Sequence, residues 1–182
     1  MAIANLFQIS VDELLSNEKS EKKQSNYIYE SRTEYDIDGK KNFDIKLGGA
    51  YAVDLKAYHG EKIEVAMFSN VYKNLLADYK VKIDDIKNRI DIDLNRFNEA
   101  SEADAKESLV ITIFIPVKYI GKIELSVNAG TLNITDIENE HIEVNGKISE
   151  VTLQGNKSEI EIDSNLDMQI SVLSHEGALE IN

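Results

Sequence analysis

Residues 123–182 read IELSVNAGTLNITDIENEHIEVNGKISEVTLQGNKSEIEIDSNLDMQISVLSHEGALEIN, and this stretch decides the fold. Apolar pairs at i, i+2 recur at Ile123/Leu125, Leu132/Ile134, Ile142/Val144, Val151/Leu153, Ile160/Ile162, Ile170/Val172 and Leu179/Ile181. Their starts are separated by 9, 10, 9, 9, 10 and 9 residues, and alternate pairs by 18 or 19. Alternation of this kind marks strands with one buried face. Self-similarity at a fixed period marks a stacked repeat, here with two strands per unit. Turn residues fall between the pairs: Asn128-Ala129-Gly130, Asn145-Gly146, Gly155-Asn156, Ser164-Asn165 and Ser174 to Gly177. An antiparallel meander would also give strands every nine or ten residues. The tighter agreement at 18–19 favours coils in which like strands stack in parallel.

Working outward, the same two-residue period continues upstream. It runs through Tyr51/Val53/Leu55, Ile63/Val65/Met67, Tyr79/Val81/Ile83, Ile90/Ile92/Leu94 and Leu109 to Ile115. Gly39, Gly48-Gly49 and Gly60 read as turns between strands, and Pro116 ends one, where its missing N–H costs least. Val71 to Tyr79 is ambiguous and admits a helical turn. Glu99 to Ser108 has no apolar period and reads as an exposed acidic loop. At the N-terminus, Ser10 and Glu13 fit a capping box, predicting a short helix over Leu6 to Leu15 before a solvated linker, Glu18 to Ser25. The predicted fold is all-β, with an N-terminal helix and linker (1–25) and a β-sheet region (26–116). The latter continues into a short, β-helix-like β-solenoid of ~19-residue coils (117–182), and 26–182 forms one continuous domain.

Composition excludes several function classes. Thirty-three acids against 20 bases give a net charge of −13, which disfavours nucleic acid and anionic membrane surfaces. The chain has no cysteine, so disulfide scaffolds, thiol catalysis and thiolate metal sites are out. No segment approaches the length of an apolar membrane span, and Met1 to Asn5 has no basic region leading into an apolar stretch, so no secretory signal is visible.

The strand Leu109 to Pro116, followed by Ile123 to Thr135, resembles the bacterial "putative adhesin" domain of unknown function, found in envelope-associated proteins of Gram-positive bacteria. The resemblance covers about Tyr27 to Asn182. It rests on a β-region, an alternating strand ending in proline, and coils of the form apolar-x-apolar, polar, Gly, x, apolar-x-apolar. It implies a non-enzymatic fold at the cell envelope, with no catalytic residues to carry over. This chain departs from the family's usual Ser-Gly-Asp turn at Asn128 to Thr131 and Asn145 to Lys147, and from its usual signal or membrane anchor.

Stacked coils turn equivalent positions into columns about 4.8 Å apart. Glu124, Glu143, Glu161 and Glu180 share one register, a carboxylate ladder, while Asn133, Thr152 and Ser171 form a neutral polar ladder. Stacked like charges disfavour one another's ionisation unless a cation or basic partner intervenes. The ladder is thus a weak candidate for a divalent cation or a docking face for a basic surface. The plain alternative is a solvated acidic face that protects a flat sheet from aggregation. Residues 121–182 hold twelve acids and three bases, Lys122, Lys147 and Lys157, so most of the net charge lies there.

Other motifs point to no chemistry. Asp91-x-Asp93-x-Asn95 with Glu102 approaches an EF-hand loop, but Arg96 stands where its sharp turn needs glycine, and Ile90/Ile92/Leu94 alternate as a strand. Asp36 to Gly39 reads as a turn. His59, His141 and His175 are too scattered for metal ligation, and Gly48-Gly49-Ala50 is too short to cradle a phosphate. The reading is therefore a non-enzymatic binding or scaffold domain without cofactor, whose partner is an unknown protein or glycan. One alternative is an intracellular accessory or regulatory module docking through residues 6–15; another is a carbohydrate-active β-helix enzyme. The repeat stops in mid-strand at Asn182, which predicts a fragment of a longer protein or self-association through the C-terminal edge.

Overall fold

The computed structural model describes residues 27–98, 100–164 and 167–182, so the helix expected over Leu6 to Leu15 and its linker lie outside the described residues. Among the described residues there are twelve strands: β1 (Tyr29–Asp36), β2 (Lys41–Tyr58), β3 (Lys62–Ser69), β4 (Tyr79–Ile86), β5 (Arg89–Arg96), β6 (Val110–Pro116), β7 (Ile120–Thr135), β8 (Glu138–Gln154), β9 (Asn156–Ser164), β10 (Gln169–Val172), β11 (His175–Glu176) and β12 (Leu179–Ile181). A one-turn helix α1 (Leu75–Asp78), a helix α2 (Glu102–Ser108) and a 3-10 turn at Val117–Tyr119 interrupt them. The chain is all-β, as its alternation predicts.

The strands form one mixed, open sheet. Its main path runs β1-β3-β6-β2-β7-β8-β9-β11, with β10 on β8, β12 on β9, and the β4–β5 hairpin on β2. Pairing is antiparallel for β1/β3, β3/β6 and β4/β5 and parallel for the pairs that β2, β7, β8 and β9 make with one another and with β5, β6, β10, β11 and β12. Along the parallel run, Ile123 pairs with Ile142, Ile142 with Ile160, and Ile160 with Leu179. Leu132 pairs with Val151, and Val151 with Ile170. Residues of like kind therefore sit side by side, at the 18- and 19-residue steps of the sequence.

The glycine-bearing segments 128–130 and 145–146 are not turns between strands. They lie inside β7 and β8, and Gly48-Gly49 lies inside β2. Each long strand bends there without leaving its ladder. From Ile123 onward the buried positions of β7 are Ile123, Leu125, Val127 and Ala129, then Leu132 and Ile134: the inward parity flips at the bend, so both arms face the core. Ala50, Ala129 and Ile148 pair in register at that bend, all buried. Tyr51, expected to face inward with Val53 and Leu55, is instead 52% exposed, because the bend in β2 turns it out. At Gly146, φ is +144° and an added Cβ would run into the Val127 carbonyl oxygen, so glycine is required for the strands to stay stacked through the bend.

The aliphatic positions of the repeat face one continuous buried cluster extending from Ile37 to Ile162. Each fully buried Ile, Leu or Val contributes about 1.5–3 kcal/mol, which is what selects this register over a slip of one residue. Asn156, at the start of β9, is buried among them. It accepts from Ile137 N at 3.0 Å and donates Nδ2 to Ile134 O at 2.8 Å, satisfying the backbone where β7 passes into β8. On the last strands the burial fails: Val172, Leu173 and Ile181 are exposed.

Glu102 to Ser108 is helix α2 rather than a loop. Ser101 Oγ accepts from Asp104 N at 3.1 Å as its N-cap, and the single buried residue, Ala105, leaves no apolar period for sequence to reveal. Pro116 closes β6, and the ambiguous 71–79 segment contains α1.

Candidate binding surface

In the strand register Glu124 pairs with Glu143, Glu143 with Glu161, and Glu161 with Glu180. It also carries the row further. Asp44 of β2 stands beside Glu124, Asp91 of β5 beside Asp44, and Asp84 of β4 beside Asp91. Seven carboxylates thus cross seven strands in one line. Sequence pattern could not show the last three, because β2 meets β7 across about eighty residues and no local period links them.

The two halves of this row differ in compensation. Lys82 pairs with Asp84, Arg89 Nε lies 2.6 Å from Asp91, and Lys46 Nζ lies 2.9 Å from Asp44, each two residues along its own strand. Hydrogen bonds to these aspartates, then their charge, raise all three cations above their ordinary pKa. Among the described residues, none of Glu124, Glu143, Glu161 and Glu180 has a cation at ion-pair distance. Two of them have neutral donors: Asn145 Nδ2 donates to Glu143 at 2.7 Å, and Asn182 Nδ2 to Glu161 at 3.2 Å. Lys122 and Lys157 are turned to Glu140 and Glu176, off the row.

The polar ladder is present but not neutral throughout. Asn133 pairs with Thr152, and Thr152 with Ser171. On the other side Asn133 meets Asp54, which pairs in turn with Thr112. Asp54 Oδ1 accepts from Asn133 Nδ2 at 2.8 Å and Oδ2 from Thr112 Oγ1 at 3.3 Å. An acid therefore sits within the row, between the Asn133 amide and the Thr112 hydroxyl.

The remaining candidates are scattered. Asp91, Asp93 and Asn95 lie on strand β5, not a loop, and Glu102 turns to Arg96, Lys106 and Asn128. His59 follows β2, His141 lies on β8 and His175 on β11. Among the described residues no group of three or more His, Cys, Asp or Glu could hold a metal ion, and no helix is long and apolar enough to cross a membrane. What the ladder can do chemically is accept: a strip of four uncompensated carboxylates, about 15 Å long at strand spacing, offers acceptors to a row of basic groups.

No family model matches the chain, and no curated protein is similar to it in sequence. Among solved structures, it is similar to a "putative cell adhesion protein" from Clostridium sporogenes, with a TM-score of 0.51 and 10% identity over 85% of this chain and 97% of that one. A "putative adhesin" from Parabacteroides distasonis (TM-score 0.34, 6% identity, 84% of this chain and 77% of that one) and another from Parabacteroides merdae (0.32, 11%, 84% and 96%) lie too far off to carry an argument. At 10% identity the first likeness is one of fold: the chain shares the β-architecture of the Clostridium sporogenes protein over nearly that protein's whole length.

Proposed function

We propose that this chain is a non-enzymatic, adhesin-like binding or scaffold domain of the cell envelope, working through the outer face of its parallel stack. The observation that carries the reading is the uncompensated line Glu124, Glu143, Glu161 and Glu180. Four glutamates held in register without cations tolerate mutual repulsion, which a basic partner relieves on docking. The 18- and 19-residue parallel steps support reading β7 to β12 as coils of a short β-solenoid, with the ladder as its repeated outer face. The exposed Val172 and Ile181 on the last strands support self-association through that edge, which light scattering tests.

The ladder is tested with an oligolysine peptide. Binding that weakens steeply with salt and is lost in E124Q/E143Q/E161Q, but kept when Glu61, Asp104 and Glu107 are made amides, is the expected result. Equal loss in both triple variants would reduce the effect to net charge. Location is tested by protease shaving of intact cells. Removal of the protein places it outside; survival until lysis moves the search to intracellular partners of residues 6–15.

A further inference from the structure

The run of parallel strands has two ends, and they differ. At the β2 end both arms are occupied, residues 42–46 by β5 and residues 52–58 by β6. At the other end, nothing among the described residues pairs with the outer edges of β10, β11 and β12. Elsewhere the sheet guards its free edges with charge. Strand β1 carries Glu30, Arg32, Glu34 and Asp36, and β4 carries Lys80, Lys82, Asp84 and Asp85, as edges that avoid pairing do. Strand β10 has no charged residue and β12 has one, Glu180.

This edge presents open backbone and open core together. Along a strand, the N–H and C=O of one residue point to one side and those of the next to the other. On β12 the even residues face β9: Ile160 N donates to Ala178 O at 2.9 Å, Asn182 N to Ile162 O at 2.9 Å, and Ser164 N to Asn182 O at 3.1 Å. Leu179 and Ile181 therefore turn their backbone groups outward. On β10 Leu173 N donates to Leu153 O at 2.9 Å, which leaves the backbone groups of Ile170 and Val172 outward. The same four residues continue the inward columns of Val151, Leu153, Ile160 and Ile162. There the cover fails, with Val172 48% and Ile181 49% exposed.

We infer that this edge is the interface of a closed two-fold dimer, in which β10 of one copy pairs antiparallel with β12 of a second copy of this chain. One register meets every requirement. Ile170 stands opposite the second copy's Ile181, Ser171 opposite its Glu180, and Val172 opposite its Leu179, and the two-fold repeats each pair in reverse. Both apolar pairs join residues whose N–H and C=O are open, so one contact completes core and backbone. Glu180 meets a serine instead of another carboxylate, which would repel it. That β10 and β12 match each other residue for residue is what a two-fold interface demands, and it selects a second copy over an unrelated strand. End-to-end addition has no such solution, because the β2 arms that would receive the edge are already paired. Growth therefore stops at two. This arrangement rests on the self-association proposed above and adds to it a register, a symmetry and a limit.

The chain has no cysteine, so introduced thiols report the register cleanly. Residues opposite each other in an antiparallel pair without mutual backbone bonds lie about 4.5 Å apart at Cα, within reach of a disulfide. S171C and E180C chains, one bearing a tag that shifts its mass, are mixed and oxidised, and light scattering follows the wild-type chain. The expected result is a wild-type dimer, with disulfides between S171C and E180C chains in large excess over those between two chains of one kind. I181K is expected to be a monomer with an unchanged circular dichroism spectrum, while V71K, at an exposed apolar residue away from the edge, stays dimeric. Dimerisation strengthens with salt, since each copy carries −13, whereas oligolysine binding by the ladder weakens. Disulfides mainly between chains of one kind, or a dimer that survives I181K, overturn this interface but not self-association. Assemblies that grow past two copies overturn the closure, and a monomer at every concentration overturns both readings.

Discussion

Asp44 and Glu124 stand side by side in the parallel register of β2 and β7, and the row of carboxylates changes character between them. Asp44 has Lys46 at 2.9 Å, whereas Glu124 has no cation at ion-pair distance among the described residues. One side of that boundary is a self-neutralised surface and the other is an anionic strip.

The boundary has a stability consequence. E143Q/E161Q removes repulsion inside the strip and is expected to stabilise the protein by about 0.5 kcal/mol at low salt. The gain shrinks at high salt as screening replaces it. D44N, which strips Lys46 of its partner, brings no such gain. Urea unfolding at two ionic strengths reads all three.

The bends require glycine where stacked carbonyls leave no room. Gly146→Ala sets a Cβ against the Val127 carbonyl at a positive φ and is expected to destabilise by about 3 kcal/mol or more. Gly177→Ala meets the Ser158 carbonyl in the same way. Gly39→Ala, with nothing within 4 Å of its added Cβ, is expected to be neutral or slightly stabilising. Thermal melts of the three variants check the order.

Buried Asn156 holds the backbone between β7 and β8. Asn156→Leu removes the acceptor of Ile137 N and one donor to Ile134 O in the core and is expected to cost about 1–3 kcal/mol. Chemical denaturation gives the loss. Faster amide exchange at Ile137 in the variant would localise it.

Glu102 ties α2 to the sheet through Arg96 at 3.6 Å, Lys106 at 3.4 Å and Asn128 at 3.2 Å. Burial raises its carboxyl pKa, but Lys106, Asn128 and Arg96 outweigh burial and hold it below the ordinary value. A depressed carboxyl contributes stability above its unfolded pKa and loses it as pH falls through the folded value. E102Q is therefore expected to be less stable than wild type at pH 7 by no more than about 1 kcal/mol, since water screens the half-exposed pair. The two should converge below about pH 4; melts across pH 3 to 7 read the convergence.

What could be read from the residues alone was whatever depends on a local period. The strand content, the buried faces of Ile123 to Ile162 and the Glu124–Glu143–Glu161–Glu180 register all follow from alternation and an 18–19-residue repeat. Helix α2 escaped because only Ala105 turns inward, although Ser101 and Asp104 carried a capping signal. Gly130 and Gly146 lie inside β7 and β8, where a glycine within an unbroken strand looks like a strand end in one dimension. The remainder required the folded chain. Asp44, Asp91 and Asp84 join the ladder through pairings of β2, β5 and β4, and Asp78 meets Asn98 across a hairpin. Period is a property of neighbours along the chain, and alternation alone therefore determined which faces are buried. Which strands stand beside one another, and so which carboxylates fall into one row, is set by long-range hydrogen-bonded pairing, which only the tertiary structure decided.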